Sequence, residues 1–212
     1  MTEKIFLNNQ AVVAGEVVSD FTFSHELYGE GFYNVDLKVD RLSDAYDIIP
    51  VMISERIIDV KKDYHGCRIE VKGQFRSYNK HEDEKNRLIL SLFAREVRMM
   101  EDGEEYSKPN QIFLDGFICK KPVYRMTPLG REIADLLLAV NRAYGKSDYI
   151  PCICWGRNAR FAGNLEVGAH IQLWGRIQSR QYQKKVGEDQ VVNRVAYEIS
   201  VSKIECLEEE EA

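Results

Sequence analysis

Hydrophobic and polar residues alternate with a period of two along many short stretches of this chain. The clearest stretch is residues 195–201, in which Val, Tyr, Ile and Val alternate with Ala, Glu and Ser. This period is that of a β-strand with one buried face. Polar or glycine-containing segments separate the stretches, so the pattern predicts a protein built mainly of short strands.

Each half of the chain shows five predicted strands in the same order. In the first half they are residues 11–18, 32–42, 48–53, 67–77 and 88–97, with a helix at 55–64 and a polar loop at 78–86. In the second half they are residues 112–119, 133–142, 149–155, 169–179 and 195–204, with a helix at about 158–165 and a polar loop at 180–192. Five strands with one helix between the third and the fourth are the layout of an OB fold, a small Greek-key barrel. We therefore predict an all-β fold with short helices, arranged as two tandem OB-fold domains.

An internal repeat supports this division. At shifts of 101 and 102 residues the chain matches itself at Gly15 and Gly116, Asp47–Pro50 and Asp148–Pro151, Gly73 and Gly175, and Ser77 and Ser179. At a shift of 107, Asn86-Arg87 matches Asn193-Arg194. The shift thus grows in two steps, and the larger one falls in a polar, glycine-containing loop, as expected for duplicated domains that diverge through loop insertions. We place the domains at residues 1–105 and 108–207, followed by a short acidic tail at 208–212.

Charge divides between the halves in a way that the net charge of −5 conceals. Residues 1–107 contain 14 Lys and Arg against 21 Asp and Glu, whereas residues 108–207 contain 15 against 9. The second domain is therefore basic, and its charge is compatible with binding a nucleic acid.

Several classes of protein find no support in the sequence. No apolar run approaches the ~20 residues of a membrane-spanning helix, and the first residues lack the apolar core of a signal peptide. The five cysteines are scattered, so we expect free buried thiols in a reducing cytoplasm rather than a disulfide framework. The four histidines form no evident metal site or triad, and no phosphate-cradling glycine loop occurs. We expect no enzyme activity, no metal and no cofactor.

Aromatic and cationic residues interleave between residues 148 and 185. The segment contains Tyr149, Trp155, Trp174 and Tyr182 among Arg157, Arg160, Arg176, Arg180, Lys184 and Lys185. Rings on which bases stack, next to charges that neutralise phosphates, are what an unpaired nucleic-acid strand requires.

The second half then resembles the bacterial single-stranded DNA-binding protein family. The matching pieces are Pro122, Arg125–Gly130, Leu138–Arg142, Asp148–Pro151, Trp155–Arg157 with Ala159, Gly168, and Gly175–Arg180 with Tyr182. The resemblance implies non-sequence-specific binding of single-stranded DNA in replication, repair or recombination, in the cytoplasm. It also implies assembly of four OB domains, hence a homodimer of this two-domain chain, and contacts with replication or repair proteins.

The resemblance and the residue pattern together give the candidate site. Base stacking is expected at Tyr149, Trp155, Tyr182 and Tyr144. Phosphate contact is expected at Arg125, Arg142, Arg157, Arg176, Arg180, Lys184 and Lys185. Trp174 and Gln172 are candidates for a contact between subunits, and a base platform is the alternative for Trp174.

Simpler interpretations stay open for some of these residues. Tyr149 and Trp155 lie six residues apart, so they share a face of a strand and could fill the barrel interior. The cations around Tyr182 could be an ordinary solvated loop.

The first domain departs from the family pattern. Ile48 stands at the position of Tyr149 and Ser54 at that of Trp155, and only Tyr78 is left as a candidate platform. We expect this domain to bind DNA weakly or to serve as a structural partner. One alternative function is therefore a primosomal or recombination accessory factor that uses its OB folds for protein contact; an OB-containing nuclease subunit is a more distant one.

Overall fold

The computed structural model describes residues 7–82, 85–101, 103–104, 106–186 and 190–207, and the side chains of 80–86 and 184–191 lie outside that description. The acidic tail at 208–212 is also outside it. Within the described part, no helix is long and apolar enough to cross a bilayer.

The first half forms a closed five-stranded barrel with one extra edge strand. Its strands are β1 (Asn9–Val17), β2 (Thr22–Leu27), β3 (Glu30–Asp40), β4 (Tyr46–Ser54), β5 (Arg68–Glu82) and β6 (Lys85–Met99). β1 pairs with both β3 and β5, β3 pairs with β4, and β5 pairs with β6. A parallel pairing of β4 with β6 closes the ring, and β2 lies outside it on the edge of β3.

The second half repeats this connectivity. Its elements are β7 (Asn110–Ile118), β8 (Val123–Met126), β9 (Glu132–Asn141), a 3-10 turn (Ala143–Gly145), β10 (Ser147–Trp155), α1 (Arg157–Gly163), β11 (His170–Val186) and β12 (Gln190–Cys206). β7 pairs with β9 and β11, and β10 pairs in parallel with β12. The fold is that of two tandem OB barrels, as predicted.

Apolar side chains at alternate strand positions fill each barrel. Phe75 and Ile49 are fully buried in the first barrel, and Leu138 and Ile150 in the second. Burial of each such side chain stabilises the fold by ~1.5–3 kcal/mol. In α1, Ala159 and Ala162 are three residues apart and both buried, so the helix packs its small face onto the second barrel.

Two matched glycines permit the same irregularity in both barrels. Gly73 in β5 and Gly175 in β11 each lie at a β-bulge. A Cβ atom on Gly73 would lie 2.1 Å from the Phe93 carbonyl oxygen, and one on Gly175 would lie 2.3 Å from that of Ser200. Only glycine allows the strands to approach so closely, which explains why the repeat keeps it at both positions.

The barrels join through their first strands. β1 and β7 run antiparallel side by side, with Ala11 opposite Ile112. All twelve strands therefore form one continuous hydrogen-bonded sheet that passes from one barrel to the other. We call this junction the seam.

The helix predicted at residues 55–64 is wrong. The segment forms successive turns instead. Asp59 accepts a hydrogen bond from the Lys61 N–H at 3.1 Å, and Asp63 accepts one from the His65 N–H at 2.8 Å. Aspartates that bond to the backbone two residues ahead favour turns over a continuous helix.

The two predicted polar loops are also wrong. β5 and β6 continue as a hairpin through most of residues 78–86, and β11 and β12 do so through most of residues 180–192. The short strands β2 and β8 fall between the predicted strands, and the sequence pattern did not predict them. Both lie at a sheet edge with mainly exposed side chains, so neither carries the buried alternation that identifies a strand.

Candidate nucleic-acid interface

The strand β10 presents two of the predicted platforms on the outer face of the second barrel. Tyr149 is 45% exposed and Trp155 is 38% exposed, whereas Ile150, Cys152 and Cys154 point into the core. Strand alternation places both rings on the same face. The interior location considered for them is therefore wrong.

The register of neighbouring strands extends this face to β11. Ile153 of β10 lies beside Ser200 of β12, and Ser200 lies opposite Arg176 of β11. Directly opposed residues share a face of a sheet. Arg180 and Tyr182, four and six residues after Arg176, therefore lie on the face that carries Tyr149 and Trp155.

The side chains of Tyr182 and Arg180 lie next to each other on this face, and both are exposed to solvent. The Tyr182 ring is 36% exposed, and the Arg180 guanidinium lies 5.9 Å from its centroid. A ring and a cation in this arrangement offer stacking and charge to the same nucleotide.

Tyr144 lies in the turn between β9 and β10. Its side chain is 99% exposed and its backbone has φ 63° and ψ 32°, the left-handed region. A bulky residue in this conformation is uncommon. The structure thus holds a tyrosine in solvent close to the strand of Tyr149.

The other cations predicted to contact phosphate differ in whether a carboxylate is paired with them. Arg157 is exposed at the start of α1. Arg125 pairs with Asp135 at 2.8 Å, and Arg180 pairs loosely with Glu198 at 3.8 Å. The Arg125 pair is exposed on both sides and is therefore weak, so phosphate can compete for that arginine. Glu198 is buried, but at 3.8 Å it is too far from Arg180 for a hydrogen bond, and the Arg180 guanidinium stays exposed.

Arg142 and Arg176 lie at the seam rather than in open solvent. Arg142 pairs with Asp148 at 3.2 Å and Arg176 with Asp47 at 3.2 Å. Burial and the neighbouring Arg41 lower the pKa of Arg176. Each of these guanidinium groups is already paired with a carboxylate, so their assignment to phosphate contact stays a prediction.

Lys184 and Lys185 belong to the hairpin of β11 and β12. Their backbones pair with Val192 and Val191. Their side chains lie outside the described residues, so their expected phosphate contact also stays a prediction.

Acidic groups near this face are bound to partners. Glu132 accepts hydrogen bonds from Arg160 at 2.8 Å and from Tyr124 at 2.6 Å. The bond from Arg160, followed by that from Tyr124, lowers the pKa of Glu132. This carboxylate is thus ionised but paired with a cation.

Trp174 and Gln172 lie on the outer face of the sheet near the seam. The Trp174 ring lies 5.1 Å from the ring of Phe113, and Lys203 Nζ lies 4.3 Å from its centroid. Gln172 donates a hydrogen bond to Asp115 at 2.8 Å. Trp174 is partly exposed within this cluster.

The first barrel has a different surface at the equivalent place. Ser54, the counterpart of Trp155, is buried and donates a hydrogen bond to Glu30. Glu55 accepts one from the Gly31 N–H at 2.9 Å. Hairpin register makes Lys80, opposite Arg87, the counterpart of Tyr182, opposite Arg194. Tyr78, though 43% exposed, therefore corresponds to Arg180 and not to Tyr182.

The cysteines form no disulfide. Cys152 and Cys154 are buried as expected, and burial raises the pKa of Cys154 to about 12. Cys206 is exposed, contrary to expectation. Among the described residues, no group of three or more His, Cys, Asp or Glu side chains could hold a metal ion.

Two residue pairs that cross the seam were not predicted from the sequence. Asp47 of the first barrel bonds to Ser179 of the second, and Asp148 of the second bonds to Ser77 of the first. The repeat had already matched both aspartates and both serines to one another. Identical polar residues kept in both copies were the signal that could have identified them.

The pKa values of these two equivalent carboxylates shift in opposite directions. Burial alone would raise the pKa of Asp47, but hydrogen bonds from Arg41 and Ser179 outweigh it and the pKa is lowered. Burial raises the pKa of Asp148, and the bond from Ser77 and the charges of Arg142 and Arg76 offset it only in part.

Comparisons with known proteins agree with this architecture. Residues 109–207 match the family described as "Single-strand binding protein family". The chain is 35% identical over 96 residues to single-stranded DNA-binding protein 2 of Listeria innocua, a match that covers 42% of this chain and 60% of that protein. It is 33% identical over 96 residues to single-stranded DNA-binding protein 3 of Clostridium acetobutylicum, covering 42% of this chain and 67% of that protein.

The whole two-barrel fold also has a counterpart. The crystal structure of the single-stranded DNA-binding protein from Thermus aquaticus superposes with a TM-score of 0.78, over 96% of this chain and 95% of that one, at 19% identity. The fold and the sequence matches define a tandem OB-fold protein. The chain belongs to the single-strand binding protein family.

Proposed function

We propose that this chain binds single-stranded DNA with little sequence preference and acts in DNA replication, repair or recombination as a binding protein rather than an enzyme. The observation that carries the proposal is the shared outer face of the second barrel, on which Tyr149, Trp155 and Tyr182 are all exposed. Each stacked base is worth ~1–3 kcal/mol, and stacking tolerates any base.

Charge supports the same proposal. Arg157 and Arg180 are exposed next to these rings, and Arg125 is held only by an exposed ion pair. Phosphate contacts position a strand without reading its sequence. Arg142, Arg176, Lys184 and Lys185 extend the proposed track toward the seam and along the hairpin.

The test is a comparison of substrates at fixed salt. Fluorescence anisotropy of a labelled dT oligonucleotide should show binding that falls steeply with ionic strength, with much weaker binding of a duplex of equal length. Equal affinity for single strand and duplex would refute the proposal. A matched RNA oligonucleotide in the same titration measures preference for DNA.

We also propose that two chains associate through the outer face containing Trp174, Gln172 and Phe113. Partly exposed aromatic side chains are enriched in protein interfaces, and such a homodimer would present four OB barrels. Light scattering should give twice the mass of one chain, and Trp174→Glu should halve it. A monomeric wild type would exclude the dimer.

The first barrel favours a second candidate function. Glu30 binds Ser54, the counterpart of Trp155, and Glu55 is the counterpart of Gly156, so this face has carboxylates, one of them paired with Arg56, where the second barrel has an exposed ring. An accessory factor would use that barrel to hold a replication or repair protein. Capture of such a protein that survives nuclease treatment and is lost in Glu30→Ala would favour this candidate.

A further inference from the structure

The seam contains two reciprocal carboxylate–serine pairs. The Ser179 N–H donates to Asp47 Oδ1 at 2.7 Å, and the Ser77 N–H donates to Asp148 Oδ1 at 2.6 Å. Both aspartate side chains are 1% exposed. Buried carboxylates are retained only where hydrogen bonds and countercharges compensate the loss of water.

One pair reaches the strand that carries the stacking rings. The Tyr149 N–H donates to the hydroxyl oxygen of Ser77 at 2.8 Å. Ser77 belongs to β5 of the first barrel and Tyr149 to β10 of the second. The backbone of a proposed base platform is therefore held by a side chain from the other barrel.

In the other pair, Asp47 binds Ser179, which lies at the base of the hairpin that carries Arg180 and Tyr182. The Ser179 hydroxyl also donates to Asp47 Oδ1 at 3.1 Å. Arg41 of the first barrel binds both oxygens of Asp47, at 2.6 and 2.8 Å, and donates to the Ser179 carbonyl at 3.3 Å. Three hydrogen bonds to Asp47 and Arg41 of the first barrel thus hold Ser179, the residue immediately before Arg180.

We infer that the first barrel positions the DNA-contacting segments of the second, with Ser77 as the positioning residue for Tyr149 and Asp47 for the Arg180 hairpin. This inference depends on the proposed function. It gives the acidic barrel a role in DNA affinity without any contact with DNA. A bound base stacks well only where the ring is held before binding, because ordering it on binding costs affinity.

The test is a double-mutant cycle between Ser77→Ala and Tyr149→Ala, with dT oligonucleotide affinity as the readout. Ser77→Ala leaves the Tyr149 N–H without its acceptor, and we expect affinity to fall about fivefold. In the Tyr149→Ala background the same change should have almost no effect, since there is no ring left to position. Ser77→Thr keeps the hydroxyl and should retain most of the affinity.

The control is Ser19→Ala, which removes a similar bond inside the first barrel, from the Asp36 N–H at 2.9 Å. It should leave affinity unchanged. Unchanged affinity in Ser77→Ala, or an equal loss with and without the Tyr149 ring, would overturn the inference. If instead the wild type fails to bind the oligonucleotide, the proposed function fails and not only the positioning role.

A second measurement needs no variant. Hydrogen exchange at the Tyr149 amide of the full chain should be slow, since its partner is a buried serine. Exchange as fast as that of an open loop amide would contradict the inference even if Ser77→Ala does not fold.

Discussion

Ala11 of β1 lies directly opposite Ile112 of β7, and Ile112 is the residue that occupies the position of Ala11 in the second copy. Antiparallel pairing of equivalent residues is the arrangement that a two-fold axis produces between identical subunits. The two barrels of one chain therefore meet as two copies of a dimer would.

Asn9 of β1 is predicted to be a major contributor to the stability of the first barrel. Its side chain donates to the Phe75 carbonyl at 2.7 Å and accepts from the Phe75 N–H at 2.9 Å, and it is buried. Asn9→Ala leaves both backbone groups without a partner, so the free energy of unfolding should fall by about 2 kcal/mol. Urea denaturation measures this loss, and the exposed Gln10→Ala should change it little.

Trp155→Ala is predicted to weaken binding of a dT oligonucleotide by roughly 5- to 100-fold, the loss of one stacked base. Trp155→Phe should recover part of the affinity because a ring remains. Tyr28→Ala removes a ring of the first barrel that is more exposed still and should not alter affinity. An unaltered affinity in Trp155→Ala, measured at several salt concentrations, would remove this residue from the site.

Arg180→Ala is predicted to affect the salt dependence of binding rather than base preference. Loss of one phosphate contact should reduce the slope of log affinity against log salt by about 1. Lys61→Ala removes an exposed cation of the first barrel and should leave the slope as it is. A lower affinity at every salt concentration with the slope preserved would mean that Arg180 acts on the Tyr182 ring instead.

Asp47 is predicted to make stability depend on acid. Its pKa in the folded chain is below the ordinary 3.8, so the ionised form stabilises the fold at neutral pH. That contribution is complete above the unfolded value and is lost as pH falls through the folded value. Asp47→Asn should therefore destabilise the chain at pH 7, and its difference from the wild type should shrink below about pH 4. A difference that grows toward low pH would contradict this.

The sequence predicted the two barrels because the internal repeat and the strand alternation can both be recognised along the chain without knowledge of tertiary contacts. It placed Tyr149, Trp155 and Tyr182 together through the family resemblance, and the strand register explains their common face. It failed at residues 55–64, where hydrophobic spacing suits a helix but Asp59 and Asp63 bond to the backbone as turns. It also gave no sign that Asp148 would pair with Arg142 within the second barrel, or that Asp47 of the first barrel would pair with Arg176 across the seam. The second pairing depends on which strand edges of the two barrels meet.

The most direct test is quenching of Trp155 fluorescence by poly(dT). The chain has two tryptophans, so Trp174→Phe leaves Trp155 as the sole reporter. Stacking of a base on this ring predicts strong, saturable quenching that salt reverses, with little change on adding duplex DNA. Fluorescence that poly(dT) leaves unchanged at low salt would contradict the account.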